Sequence, residues 1–94
     1  MFGRDENKAT INAKKHGVTF DEAETVFADP LALDGPDLQH SGLEPRRRLI
    51  GQSSTGRVLM VVYTLRGTHA EIIRLISTRQ ANRAERHAYA SAQD

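Results

Sequence analysis

Apolar residues recur early in the chain at the three-to-four-residue spacing of a helix, and later in the short runs typical of strands. Phe20, Ala23, Val26 and Phe27 form one helical stripe. It predicts a helix over 20–28, with Thr19 as N-cap, acids in its first turns and Asp29-Pro30 as its stop. Upstream, Asp5 as N-cap, Lys14 and Lys15 near the negative end and Gly17 as terminator frame a first helix over 5–15. Leu31-Ala32-Leu33 reads as a short strand closed by Asp34-Gly35-Pro36, and 36–45 has the composition of a loop. Strands are expected over 46–52, over 58–64, which is the most hydrophobic run, and over 71–77. Ser53-Ser54-Thr55-Gly56 makes the hairpin turn between the first two, and 66–70 turns the chain again. From Thr78 or Arg79 the pattern turns helical, with Ala81, Ala84, Ala88 and Tyr89 apolar and Arg83, Glu85 and Arg86 polar. The order predicts an α+β fold: N-terminal helices packed on an antiparallel sheet of about four strands, then a C-terminal helix.

A length of 94 residues fits a single domain, 1–94, with one modest core. The chain has no cysteine, so disulfides and thiolate metal sites are excluded, and no apolar run approaches a membrane span. The opening Met1-Phe2-Gly3-Arg4-Asp5-Glu6 lacks the apolar stretch of a signal peptide, so a soluble cytoplasmic protein is expected. The net charge of +1 conceals two unlike halves. Residues 1–43 carry four basic and eight acidic side chains, a net −4, whereas residues 44–94 carry nine arginines against four acids, a net +5. Such asymmetry points to an anionic partner for the second half, or simply to separate basic and acidic faces that keep the protein soluble.

Arginine is costly to hold against a core, and its planar fork suits two-pronged hydrogen bonding to phosphate. Isolated arginines on the strand pattern, Arg66 and Arg74, followed by Arg79 and a basic helix, therefore suggest a phosphodiester site, most simply RNA. His16, His40, His69 and His87 lie on separate elements with no ligand-like spacing, so no metal site is expected. No Gly-rich phosphate loop and no Gly-x-Ser-x-Gly elbow occurs, so nucleotide-triphosphate and esterase chemistries have no support in the sequence, and no cofactor is expected. Metal-independent RNA cleavage needs a base for the 2′-hydroxyl, a cation for the phosphorane charge and a donor for the leaving 5′-oxygen. Glu44 or a histidine could be the base, the arginines the cations, and His16, His40 or Tyr89 the donor. By strand parity Arg74 and Ser77 point to opposite faces, and Arg79 opens a helix whose N-terminus could hold a phosphate. Each group also has a plainer reading. Lys15-His16-Gly17 can be a helix end, Arg46-Arg47-Arg48 a solvated strand edge with Glu44 as ion partner, Arg83 and Glu85-Arg86 an exposed helix face, and Tyr89 a core residue.

In order, these residues resemble the BrnT family of toxins from bacterial type II toxin–antitoxin systems. The resemblance runs through Asp5, Lys8 and Asn12, Lys15-His16-Gly17, Val26-Phe27-Ala28-Asp29-Pro30, and Asp37, His40-Ser41 and Glu44-Pro45-Arg46. It continues through Ile50-Gly51-Gln52-Ser53, Gly56-Arg57-Val58-Leu59, Val61-Val62-Tyr63-Thr64, and Arg74, Ile76-Ser77, Arg79, Glu85-Arg86 and Tyr89. It implies a RelE-like, metal-independent endoribonuclease that blocks translation. It also implies a BrnA-type DNA-binding antitoxin, through which alone the toxin would meet operator DNA. Carried over, the catalytic set is Glu44, Arg46, Arg66 and Arg79, with Lys15, His16, Arg74 and Arg83 binding RNA. The family's usual aromatic residue before the first-helix Asp is replaced by Arg4.

A second class of function uses the same arginines without chemistry: a module that holds RNA or a partner's acidic peptide. A degenerate toxin kept as a regulatory subunit would belong to this class. Alanine at Glu44 separates the two, since only an enzyme loses cleavage while keeping RNA binding.

Overall fold

The N-cap of the first helix is Asp5, whose backbone is extended (φ −92°, ψ 120°) and whose carboxylate accepts the N–H groups of Asn7 and Lys8 at 2.8 and 3.3 Å. The computed structural model describes residues 1–39, 42 and 45–93. Helix α1 spans Glu6–His16 and ends at Gly17, whose φ of 68° lets its N–H close on the Ala13 carbonyl at 2.9 Å. Helix α2, Phe20–Val26, starts where Thr19 Oγ1 accepts the Glu22 N–H at 3.1 Å. It stops two residues short of the expected Ala28, with Phe27 as its C-cap, still in the right-handed helical region (φ −67°, ψ −14°).

Among the described residues five strands form one sheet: β1 (Phe2–Gly3), β2 (Leu33–Pro36), β3 (Arg47–Gln52), β4 (Val58–Arg66) and β5 (Ile72–Gln80). Their order is β1-β5-β4-β3-β2. β1 runs parallel to β5 and every other pairing is antiparallel, so the sheet is mixed and one strand larger than the expected four. The short strand expected at 31–33 sits at Leu33–Pro36 instead, so Asp34-Gly35-Pro36 belongs to it rather than closing it. Pro36 is tolerated because β2 is an edge strand and the residue is its last.

The largest correction concerns the last third. Thr78, Arg79 and Gln80 are strand residues paired with Val61, Met60 and Leu59, so no helix begins at Thr78 or Arg79. Helix α3 spans Arg83–Ser91 behind a reciprocal cap, in which Asn82 Oδ1 accepts the Glu85 N–H (2.8 Å) and Glu85 Oε1 accepts the Asn82 N–H (2.9 Å). Its buried positions are Glu85 and Tyr89, while Ala84 and Ala88 face outward. Among the described residues no helix is long and apolar enough to cross a membrane.

Strand alternation gives the sheet two unlike faces. One carries Leu49, Leu59, Val61, Tyr63 and Leu75 against Val18, Phe20, Ala23 and Val26, and this is the core. Phe27 stacks edge-on to both Phe2 and Tyr63, with centroids 5.2 and 5.0 Å apart, and closes the core at one end. Arg57 locks α2 to the β3–β4 hairpin: its guanidinium donates to both Glu22 carboxylate oxygens at 2.8 and 2.6 Å. The other face, opposite α1 and α2, is the functional candidate.

Candidate functional site

The open face repeats arginine at alternate positions. Arg48 stands opposite Val62, which stands opposite Ser77; one step along, Ile50, Met60 and Arg79 make a second cross-strand row. A bulge between Val62 and Tyr63 puts one extra residue, Ile76, into β5. That residue resets the parity, so Ser77 and Arg74 fall on the same face, against the expectation of opposite faces. Alternation also divides the run at 46–48. Arg46 and Arg48 point to the open face, whereas Arg47 turns to the core side and donates to Tyr63 Oη (3.3 Å), beside Asp34 (3.4 Å). β3 is paired on both sides, so these arginines are not an edge-protecting run.

A cleft of about 480 Å³ lies on this face. Met60 and Val62 form an apolar floor; Arg46, Arg48 and Arg79 line it with Ser77, and Asp37, Gln39, Asn82 and Glu85 complete its wall. Glu85 is the anchor. It is nine-tenths buried, and its two oxygens accept four N–H groups. Oε1 takes Arg79 Nη1 (2.7 Å) and the Asn82 N–H (2.9 Å); Oε2 takes Arg79 Nη2 (3.0 Å) and Arg48 Nη2 (2.6 Å). Burial pushes this carboxyl up, but the Arg79 fork, the Asn82 N–H and the charges of Arg79 and Arg48 outweigh it, so it stays below its ordinary range. The same contact raises Arg79 further above the guanidinium value. Both groups are therefore ionised through the physiological range, and among the described residues the cleft sets Arg46, Arg48 and Arg79 against this carboxylate and Asp37.

The residues singled out by sequence are distributed as follows. Arg46 and Arg79 line the cleft. Glu44 and His40 lie outside the described residues. Arg66 ends β4, and alternation places it with Arg74 on the open face but outside the cleft; Thr64, the cross-strand partner of Arg74, is buried and donates to the Pro45 carbonyl at 2.8 Å. Lys15 and His16 line a separate groove of about 210 Å³ with Lys8, Ile11, Asn12 and Ile76. Ser77 borders both hollows. Arg83 is exposed in the first turn of α3 and does not line the cleft. Arg79 opens no helix; at the start of α3, three residues on, the Asn82 and Glu85 N–H groups are bonded within the cap. Tyr89 is buried and donates to Asp29 Oδ2 at 2.6 Å, away from the cleft.

Two lining residues escaped the sequence reading. By sequence Arg48 has the look of a solvated strand edge and Glu85 that of an exposed helix face. The signals were present: strict alternation separates Arg46 and Arg48 from Arg47, and Asn82-x-x-Glu85 is a capping-box spacing that starts α3 late and leaves Arg79 in the strand. Among the described residues no group of three His, Cys, Asp or Glu side chains could hold a metal ion. What the cleft can do is bind an oxyanion and stabilise charge that grows on it, by arginine forks over an apolar floor.

Comparison with known proteins bears on this geometry. No curated protein matches the chain in sequence. The crystal structure of the Brucella abortus ribonuclease toxin BrnT superposes with a TM-score of 0.66 at 26% identity, covering 88% of this chain and 99% of that one. The family model for the ribonuclease toxin BrnT of type II toxin–antitoxin systems matches residues 5–85, a span that runs from the N-cap of α1 to the carboxylate anchoring the cleft. By that match the chain belongs to the BrnT family of ribonuclease toxins of type II toxin–antitoxin systems.

Proposed function

We propose that this protein is a metal-independent endoribonuclease that cuts RNA, arrests translation and growth, and is neutralised in the cytoplasm by a BrnA-type DNA-binding antitoxin. Operator DNA is reached only through that antitoxin. The observation that carries the reading is the convergence of arginines from β3 and β5 on one cleft of the open face, an arrangement suited to a phosphodiester and its pentavalent transition state. Cleavage proceeds by attack of the ribose 2′-oxygen on phosphorus as the P–O5′ bond breaks and the leaving 5′-oxygen takes a proton from water, giving a 2′,3′-cyclic phosphate and a 5′-hydroxyl. Arg46 and Arg79 hold the phosphate and offset its added charge, the work a metal ion does elsewhere. Glu44 takes or orients the 2′-hydroxyl proton. Arg66 and Arg74 extend the basic face for flanking phosphates, Lys15 and His16 serve the strand that leaves around β5, and Arg83 adds a distal contact.

The test is induction of the gene alone in a bacterial host, beside Arg79→Ala, with purified protein assayed on RNA in excess chelator. Growth arrest and chelator-resistant fragmentation, lost in a folded Arg79→Ala, support the reading. Normal growth with soluble wild-type protein that binds RNA without cutting favours the non-catalytic module.

A further inference from the structure

Arg48 and Arg79 come from strands on either side of β4, thirty-one positions apart, and both reach a single carboxylate. Two long cations this close repel each other, and each has several rotamers of similar energy. Glu85 removes both problems. Its charge lies between theirs, and its own position is fixed from behind by the reciprocal cap with Asn82 and by burial. With four donors on two oxygens its capacity to accept a proton is already used, so it is not the base of the reaction. Arg79 commits both terminal nitrogens to Glu85, while Arg48 gives it one N–H of its five, which leaves the Arg48 fork the better placed of the two to meet a ligand.

We infer that Glu85 is a positioning residue that holds Arg48 and Arg79 as a paired guanidinium clamp, and that Arg48 itself binds the scissile phosphate. The inference rests on the ribonuclease reading above. It separates two roles within the cleft: Arg48 touches substrate, and Glu85 acts only through the arginines. The floor of Met60 and Val62 beneath the clamp keeps water from one side of the phosphate and strengthens each contact.

The experiment is steady-state cleavage of a short RNA by full-length wild type, Glu85→Gln, Arg48→Lys and Arg48→Ala. Binding of the matching 2′-deoxy oligonucleotide, which cannot react, and the melting temperature of each protein are measured in parallel. The glutamine keeps an oxygen for the Asn82 N–H but removes the charge between the guanidiniums. The clamp predicts that kcat of Glu85→Gln falls about tenfold or more while KM is unchanged or lower, because orientation is lost and the cleft is more positive. Arg48→Lys keeps the charge and loses the fork, so kcat falls and 2′-deoxy binding holds; Arg48→Ala weakens that binding about fivefold or more. A lower melting temperature with unchanged kcat in Glu85→Gln makes Glu85 purely structural and overturns the inference. A raised kcat overturns it too, by showing that the carboxylate competes with substrate. If Glu85→Gln does not fold, the two Arg48 variants decide. If wild type cuts no RNA, the ribonuclease reading fails by itself. The clamp is then judged on binding, where equal affinity of Arg48→Ala and wild type rejects it and weaker binding upholds it.

Discussion

Asn12 of α1 acts toward Thr78 of β5 as a neighbouring strand would: its Nδ2 donates to the Thr78 carbonyl at 2.9 Å and its Oδ1 accepts the Thr78 N–H at 3.1 Å. β1 covers β5 only at Ile73 and Arg74, so beyond them the strand has a bare edge. One amide side chain satisfies that edge at Thr78 and, through a further bond to the Val18 carbonyl at 3.0 Å, ties the α1–α2 connection to it. Arg79, the next residue, is thereby held in line with the cleft.

Replacing Asn12 with alanine strips partners from three buried backbone groups, and the expected loss is about 2–4 kcal/mol in urea unfolding. Asn12→Asp retains an acceptor for the Thr78 N–H but sets a carboxylate against two carbonyl oxygens. Its stability should therefore rise as pH falls from 7 to 4, opposite to the wild-type trend. Parallel pH profiles for the two proteins would show that the amide's donors are not what matters.

The acid limb of stability belongs first to Glu22. The Arg57 hydrogen bonds, against the cost of burial and with help from the Ser53 and Thr55 hydroxyls, hold its carboxyl down at about 2. A carboxyl lowered in the folded state contributes stability above its unfolded value and loses it as pH falls toward the folded one. The window is thus roughly pH 4.5 down to 2, with an upper bound near ~3 kcal/mol that solvent screening at the partly exposed Arg57 reduces to about 2. Glu22→Gln should be less stable than wild type by that amount at pH 7, and the two unfolding curves should converge near pH 2. A constant gap across the range removes the ion pair as the cause.

How far the sequence could be read follows from where its information lies. Asp5, Gly17 and Thr19 satisfy orphan backbone groups by their own chemistry, so they marked both N-terminal helices to within two residues. The hairpin at 53–56 and the hydrophobic run after it were legible for the same local reasons. β1 was not, because two residues held by pairing to a distant strand have no period. Nor was the bulge at Ile76, a product of twist and packing that nonetheless decides which arginines share a face. The apolar Ala81 and the alanines after it drew the helix start toward Thr78, where the Asn82–Glu85 cap overrides them. For the cleft, the residue type was evident and the members were only half found. Arg46 and Arg79 follow from residue type, whereas Arg48 and Glu85 need the alternation along β3 and the capping-box spacing at 82–85 to be read as well.

Sequence makes Tyr89 a candidate proton donor, and its placement argues otherwise. The hydroxyl donates to Asp29 Oδ2, which also accepts the Gln52 N–H at 2.8 Å, and this contact together with burial raises the phenol above its usual value. A weaker acid outside the cleft has no leaving group to protonate. Tyr89→Phe should cost about 1–2 kcal/mol of stability and leave cleavage per folded molecule unchanged. A loss of kcat at matched folded fraction would return Tyr89 to the reaction.

Gly51 is a packing requirement of the sheet–helix contact. A Cβ there would lie 2.8 Å from the Ala32 Cβ, 3.0 Å from Val26 Cγ1 and 3.1 Å from Asp29 Oδ2, all closer than ordinary contact. None of these is the far end of a flexible chain, so α2 and the segment after it would have to move. Gly51→Ala should lose about 1–3 kcal/mol by overpacking, despite the gain an alanine usually brings to a strand. Thermal unfolding checks this, and no change in stability would mean that the contact yields freely.

Arg66 and Arg74 share the open face without entering the cleft, so they separate reach from chemistry. If single-stranded RNA follows this face, each neutralises about one phosphate, and log K against log salt loses about 0.7 of slope per contact removed. The double variant Arg66→Ala/Arg74→Ala should therefore bind RNA more weakly at low salt, with a slope shallower by about 1.4 and little dependence on sequence. Its kcat at saturating RNA should stay near the wild-type value, because the arginines around Glu85 are untouched. Fluorescence anisotropy across a salt series reads the first effect and initial rates read the second. An unchanged slope would take the RNA off this part of the face, and a collapse of kcat with binding intact would move Arg66 into the reacting site.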